Sequence, residues 1–243
     1  MKPKSDDKSP FETRELRASL KKFLQTTYEI PGKGKSETIG SFKWGVYIFY
    51  DYDGEPIYVG QTKEKVSGRI GRHLTNQRTD AVAMSVLDPF EVFEVEVYPL
   101  PQYQEVHSKH SKFRDAKAHL DALEHLVHEK AKKESRFNAI LNEKDPPVPS
   151  RKYDIPKSLR GSIVSEAVKN LRGHPDTRTA RRANVISRLA QTIAEREVKA
   201  GLRRTLLTQA TRLQWLAKER FQAMGGQSAV EVAPEESEDK TDE

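Results

Sequence analysis

Along residues 12–27, ETRELRASLKKFLQTT, the positions Leu16, Leu20, Phe23 and Leu24 recur at helical spacing and predict an amphipathic helix. Residues 31–40, PGKGKSETIG, break that periodicity and read as a flexible loop. In WGVYIFYDYDGEPIYVGQT two runs of aromatic and β-branched residues flank DYDGE, the pattern of a β-hairpin. VSGRIGRHLTNQ then predicts a short helix capped by Thr62, with Gly68 and Gly71 weakening it. Alternation returns from Phe90 to Leu100, where Val92, Glu94 and Glu96 stand against Phe93, Val95 and Val97, and this predicts a strand. From Lys112 to Lys133 the stripe Ala116, Leu120, Leu123 and Val127 predicts a longer helix.

Beyond that helix, NEKDPPVPSRKYDIP holds four prolines in fifteen residues and reads as a linker. Three helices are expected after it: Ile163 to Leu171, stopped by GHP; Thr177 to Ala200, before Gly201; and Leu202 to Phe221, before Gly225-Gly226. The stretch EVAPEESEDKTDE has the composition of a disordered acidic tail. No repeat of fixed period appears. The expected organisation is an N-terminal helix and loop (1–43), a compact α/β body (44–142), a proline-rich linker (143–156), a basic helical extension (157–226) and the tail (227–243).

Composition narrows the chemistry. Hydrophobic residues make up 35% of the chain and charged residues 32%, which is lean in core material. The absence of cysteine excludes disulfides, thiolate catalysis and zinc–sulfur sites, and fits a cytoplasmic location. The polar start MKPKSDDKSP lacks the apolar core of a secretory signal, and no run approaches the roughly 18 apolar residues that span a bilayer. A soluble protein without membrane contact is expected.

The net charge of +6 is unevenly spread. Residues 1–150 carry 24 Lys and Arg against 23 Asp and Glu, residues 151–230 carry 17 against 6, and residues 231–243 carry 1 against 7. A basic segment of this size favours polyanionic partners, or else is a solvated arginine-rich helical face. On a helical wheel Arg178, Arg181 and Arg188 fall within about 80° and flank the stripe Ile186, Leu189 and Ile193. That arrangement suits phosphate-backbone contact; the alternative is dimerisation through Leu202, Leu206, Leu213 and Leu216. The acidic tail is expected to fold back onto the basic helices and compete with nucleic acid.

Six residues stand out. Tyr47 and Tyr58 occupy near-mirror places in the hairpin, and Arg69 and His73 project from one helical face about 40° apart. Glu124 interrupts the apolar stripe of its helix, where an unpartnered carboxylate is costly to bury, whereas Glu129 points away. Asn138 follows the helix among hydrophobic residues. Singly, each has an ordinary explanation: cross-strand packing for the tyrosines, a surface arginine, a structural histidine, a turn asparagine. His107, His110, His119, His125 and His128 lack a matching carboxylate pattern and read as surface residues.

Taken in order, GVY, YVG, Arg69, His73, Glu124 and Asn138 resemble the GIY-YIG nuclease family over roughly Trp44 to Leu141. Val46 and Val59 replace the isoleucines of the family name, and two glycines share the helix of Arg69. Arg72 competes as the catalytic arginine, but only Arg69 has a histidine four residues on.

The resemblance implies an α+β fold: a small antiparallel or mixed three-stranded sheet flanked by helices, with an α-helical C-terminal extension. It further implies hydrolysis of DNA phosphodiesters with one Mg²⁺ or Mn²⁺. In that scheme Glu124 is the metal ligand and Arg69 neutralises charge on the phosphate. One tyrosine, Tyr47 in preference to Tyr58, is the general base helped by His73 or the metal's field, the other positions water or phosphate, and Asn138 orients the loop or a neighbouring site residue. Arg72, Arg178, Arg181 and Arg188 are candidate contacts to double-stranded DNA. Restriction-type cleavage, with a homodimer, is the first biological expectation. The alternatives are a repair or mobile-element nuclease, or an inactive nucleic-acid-binding module.

Overall fold

The computed structural model describes residues 11–74 and 86–226. Helix α1 (Phe11–Leu24) leads into a ribbon of β1 (Thr27–Ile30) and β2 (Lys35–Thr38). The body follows with β3 (Gly45–Tyr50), β4 (Pro56–Thr62), α2 (Val66–Leu74), β5 (Glu94–Pro99) and α3 (Phe113–Glu134). The last third contributes β6 (Leu159–Ser162), α4 (Glu166–Arg172), α5 (Pro175–Glu195) and α6 (Ala200–Ala223). The class is α+β, as expected. No described helix is long and apolar enough to cross a membrane.

The main sheet has four strands rather than three, ordered β4-β3-β5-β6 and antiparallel throughout. The extra strand, LRGS, is too short and too polar to show alternation. The β1–β2 ribbon escaped the sequence pattern for a similar reason, since all four residues of β2 are exposed. Strand β3, GVYIFY, is buried along its whole length because it is an inner strand covered on both faces. Tyr47 and Phe49 face one layer, containing α1, α2 and the C-terminal helices. Val46, Ile48 and Tyr50 face the other, which is α3. Strand β4 forms an edge, and the site is built around it.

The basic C-terminal segment is welded to the body by buried ion pairs. Asp51, in the β3–β4 turn, accepts from Arg182 Nη2 at 3.0 Å and from Arg212 Nη2 at 2.6 Å. Arg182 Nε also donates to Glu91 at 3.0 Å, and Arg178 makes a two-pronged pair with Asp53. The three arginines and Asp51 are each about 1–2% exposed. Burial works against the charge of Asp53, but Arg178 and then Arg182 outweigh it and hold its carboxyl below the usual range.

This corrects the reading of Arg178 as a phosphate contact, because its guanidinium is consumed inside the protein. Arg181 is likewise engaged, with Glu12 and Asp88 beside it and Phe90 under its guanidinium. Arg188 alone of the three is exposed, bonding only its own helix at Asn184. Within residues 157–226 the arginines serve the core as much as the surface.

Candidate active site

The hairpin register places Tyr47 opposite Gly60 and Phe49 opposite Tyr58. The two tyrosines are therefore diagonal neighbours on one face, with ring centroids 6.5 Å apart, and not a direct cross-strand pair. The Tyr47 ring lies over Gly60. A Cβ there would stand 2.6 Å from both the phenolic oxygen and Cζ of Tyr47. Glycine is required at 60 by this close approach, since any side chain would displace the tyrosine.

Helix α2 buries Val66, Ile70 and Leu74, and this turns the adjoining face toward the tyrosines. Gly68 and Gly71 do not interrupt it. Thr62 was expected as its cap; instead it closes a turn ahead of the helix, donating to the carbonyl of Glu64 at 2.9 Å and accepting from its N–H at 3.1 Å. His73 is buried, with Nδ1 3.1 Å from the Tyr47 hydroxyl and its ring edge-on to Tyr58 at 4.6 Å. Arg69 reaches the same hydroxyl from one turn earlier. Burial opposes its charge, yet Tyr47, Tyr58 and Glu64 together raise its pKa above the ordinary arginine value. Arg72, by contrast, leans away and pairs with Glu64.

Glu124 approaches from the other face of the sheet. On β4 the side chain of Gln61 points toward α3, and its Nε2 donates to Glu124 Oε2 at 2.9 Å and to Asp121 Oδ1 at 3.2 Å. Burial first, and then the charge of Asp121, push the Glu124 carboxyl up to about 7, against the opposing pull of Gln61, Arg69 and Lys117. That Arg69 acts on Glu124 across the strand shows how the site is made. The tyrosines, Arg69 and His73 lie on one face of β4 and Glu124 on the other, linked by charge and not by contact. The edge is covered at Ile57 by the N–H of Leu141, at 2.8 Å. It is covered at Val59 by the side chain of Asn142, which accepts from the amide at 3.0 Å and donates to the carbonyl at 2.8 Å. A cavity of about 250 Å³ opens beside Tyr58 and His73, walled by Leu87, Leu141, Asn142 and Lys144.

Asn138 is not brought to this cluster. It sits exposed in the turn after α3 with φ of +48°, and its N–H donates to the carbonyl of Ser135 at 3.0 Å. The turn needs a residue that tolerates left-handed backbone, which asparagine does. Asn142, four residues on, is the asparagine that holds the edge strand. Gln61, Asp121 and Asn142 were all missed from sequence. For Gln61 a usable signal existed, since hairpin alternation from Tyr47 and Gly60 puts it on the Glu124 side. His128 is buried between Glu129 and Asp145 instead of lying on the surface, and burial lowers its pKa.

Among the described residues no group of three or more His, Asp or Glu converges as a closed metal cage. Glu124 and Asp121 nevertheless fit a hard divalent cation. They present oxygen donors on one side of a helix, partly buried, with the Gln61 amide between them and the Lys117 ammonium on the second oxygen of Asp121, so the open donor atoms are chiefly those of Glu124. A cation there would take the rest of its shell from water and phosphate, as magnesium does.

Residues 43–133 match the family model described as the GIY-YIG catalytic domain. Neither the curated proteins nor the solved structures yielded a match to the chain.

Proposed function

Because residues 43–133 place the chain in the GIY-YIG nuclease family, we propose that it is a divalent-metal-dependent endonuclease that hydrolyses DNA phosphodiesters. The observation that supports this reading is the grouping of Tyr47, Arg69 and His73 on one face of the hairpin, with Glu124 on the other face and within the electrostatic reach of Arg69.

In this mechanism the scissile phosphate lies over the edge strand near Gly60. Arg69 remains charged and stabilises the negative charge that builds on the phosphate. Tyr47 activates the attacking water. A phenol with a reference pKa near 10 needs somewhere to send its proton, and His73 Nδ1 stands 3.1 Å away to take it. Tyr58, packed edge-on against His73, fixes the imidazole and walls the approach. Glu124, supported by Asp121, would hold the cation, which supplies Lewis-acid polarisation of the phosphodiester. Asn142 keeps β4 in place through both hydrogen-bonding groups of Val59.

Arg188 and Arg72 stay as proposed contacts to duplex DNA. Restriction-type cutting is favoured over repair or mobile-element cleavage through the Arg–His pairing on α2. The deciding experiment is incubation of mixed plasmid DNA with Mg²⁺, comparing the protein with Glu124→Ala and sequencing the ends. Cuts at a fixed sequence, lost in the variant, support a restriction nuclease; cuts set by DNA shape support repair. DNA binding without metal-dependent cutting would overturn the enzymatic reading and leave a binding module.

A further inference from the structure

Gln61 joins the edge strand to two carboxylates of α3. It follows Gly60 on the edge strand and lies opposite Val46, so its side chain projects onto the α3 layer while its neighbour supports the Tyr47 ring. One amide nitrogen donates to carboxylate oxygens of both Glu124 and Asp121, at 2.9 and 3.2 Å. Two acceptors on that side require the nitrogen, and not the amide oxygen, to face them. The second carboxylate oxygen of Asp121 is taken by Lys117. Asp121 is thereby held from both ends, and Glu124 from one.

Three residues apart on α3, the two carboxylates would otherwise repel one another and adopt separate rotamers toward water. The amide prevents this, and it does so from a different secondary-structure element. The relative placement of β4 and α3 is thus converted into the placement of two oxygen atoms.

We propose that Gln61 is the positioning residue of the cation-holding carboxylates: it gathers Glu124 and Asp121 toward one point before the cation arrives. This rests on the reading of Glu124 as the metal-holding residue. Residues that orient metal ligands typically contribute 10- to 100-fold in metal affinity. The same effect is expected here, from a side chain that is neither acidic nor among the residues that carry the family resemblance.

The test is Mn²⁺ binding to the full chain, followed by electron paramagnetic resonance, for wild type, Gln61→Met and Glu124→Gln. Methionine keeps the length and bulk of glutamine but cannot donate to the carboxylates, and circular dichroism with a melting curve confirms that each variant folds. Gln61→Met should weaken Mn²⁺ binding about 10- to 100-fold. In cleavage assays its loss should fall on the half-saturating Mn²⁺ concentration, with a much smaller change in rate at saturating metal. A merely structural glutamine would lower both together. Mn²⁺ affinity within twofold of wild type in folded Gln61→Met, while Glu124→Gln loses binding, overturns the role of Gln61 and leaves the nuclease reading standing. Wild-type binding that Glu124→Gln does not alter overturns both.

Discussion

Tyr47 and Gly60 touch across the hairpin so closely that the ring of the first occupies the space a side chain of the second would need. The two motif halves are therefore one steric unit, in which the glycine of YVG exists to admit the tyrosine of GVY. Gly60→Ala puts a methyl group 2.6 Å from the phenolic oxygen. It should destabilise the fold by about 1–3 kcal/mol through overpacking, and should reduce cleavage more than Tyr58→Phe does. Urea denaturation and plasmid-cleavage rates check the two effects separately.

Tyr47→Phe keeps the packing against Phe49 and Tyr58 while removing the hydroxyl that meets His73. Stability should fall by about 1–3 kcal/mol, because buried His73 and Arg69 both lose the hydroxyl as a partner. The cleavage rate should fall about 100-fold or more, the usual contribution of a general base. A rate within threefold of wild type would remove Tyr47 from the mechanism.

Glu124 gives a pH signature whose sign can be worked out. Its carboxyl, ordinarily near 4.5, is raised to about 7 in the fold. The metal-free fold thus prefers the protonated form, and stability from this group is present below about 4.5 and is lost as pH rises toward 7. Glu124→Gln should raise the melting temperature of metal-free protein at pH 8 and leave it nearly unchanged at pH 4. A cation must displace that proton, so Mn²⁺ affinity should rise about tenfold per pH unit up to about 7 and level off above it. Titrations at pH 6, 7 and 8 in one buffer series check this.

How much of this was legible beforehand differs element by element. Helices α1, α3, α5 and α6 announced themselves by periodicity, and Tyr47, Tyr58, Arg69, His73 and Glu124 by their order. Strands β2 and β6 did not, being short and polar, and the alternation of β1 spans only four residues and merges with the helix before it and the turn after it. Arg178 and Arg181 of α5 were misjudged for a physical reason: a helical wheel shows which residues share a face, not whether that face meets solvent or a carboxylate such as Asp53, 125 positions from Arg178. Gln61 and Asn142 each make a pair of hydrogen bonds to residues 60 to 83 positions away, and the identity of such partners leaves no mark in local sequence.

The buried cluster around Asp51 should be the most sensitive point outside the site. Asp51→Asn keeps the turn acceptor for the N–H groups of Asp53 and Glu55 but removes the charge facing Arg182 and Arg212. Leaving buried arginines uncompensated should cost about 3–5 kcal/mol. A fragment ending at residue 156 would strand the acids instead, and should lack a cooperative thermal transition; differential scanning calorimetry on both decides it.

The same cluster has a consequence for the order in which the molecule comes into being. Asp51 is joined to Arg182 and Arg212 across 131 and 161 positions of chain. Contacts of such long sequence separation form late, after the entropy of closing the loop has been overcome. On a ribosome, the hairpin bearing both tyrosines emerges long before the guanidiniums that neutralise its tip. A growing chain that already carries Tyr47 to Glu124 but not yet Arg182 and Arg212 therefore holds the candidate site residues without the charges that lock the hairpin down, so the proposed site settles only once those helices have docked.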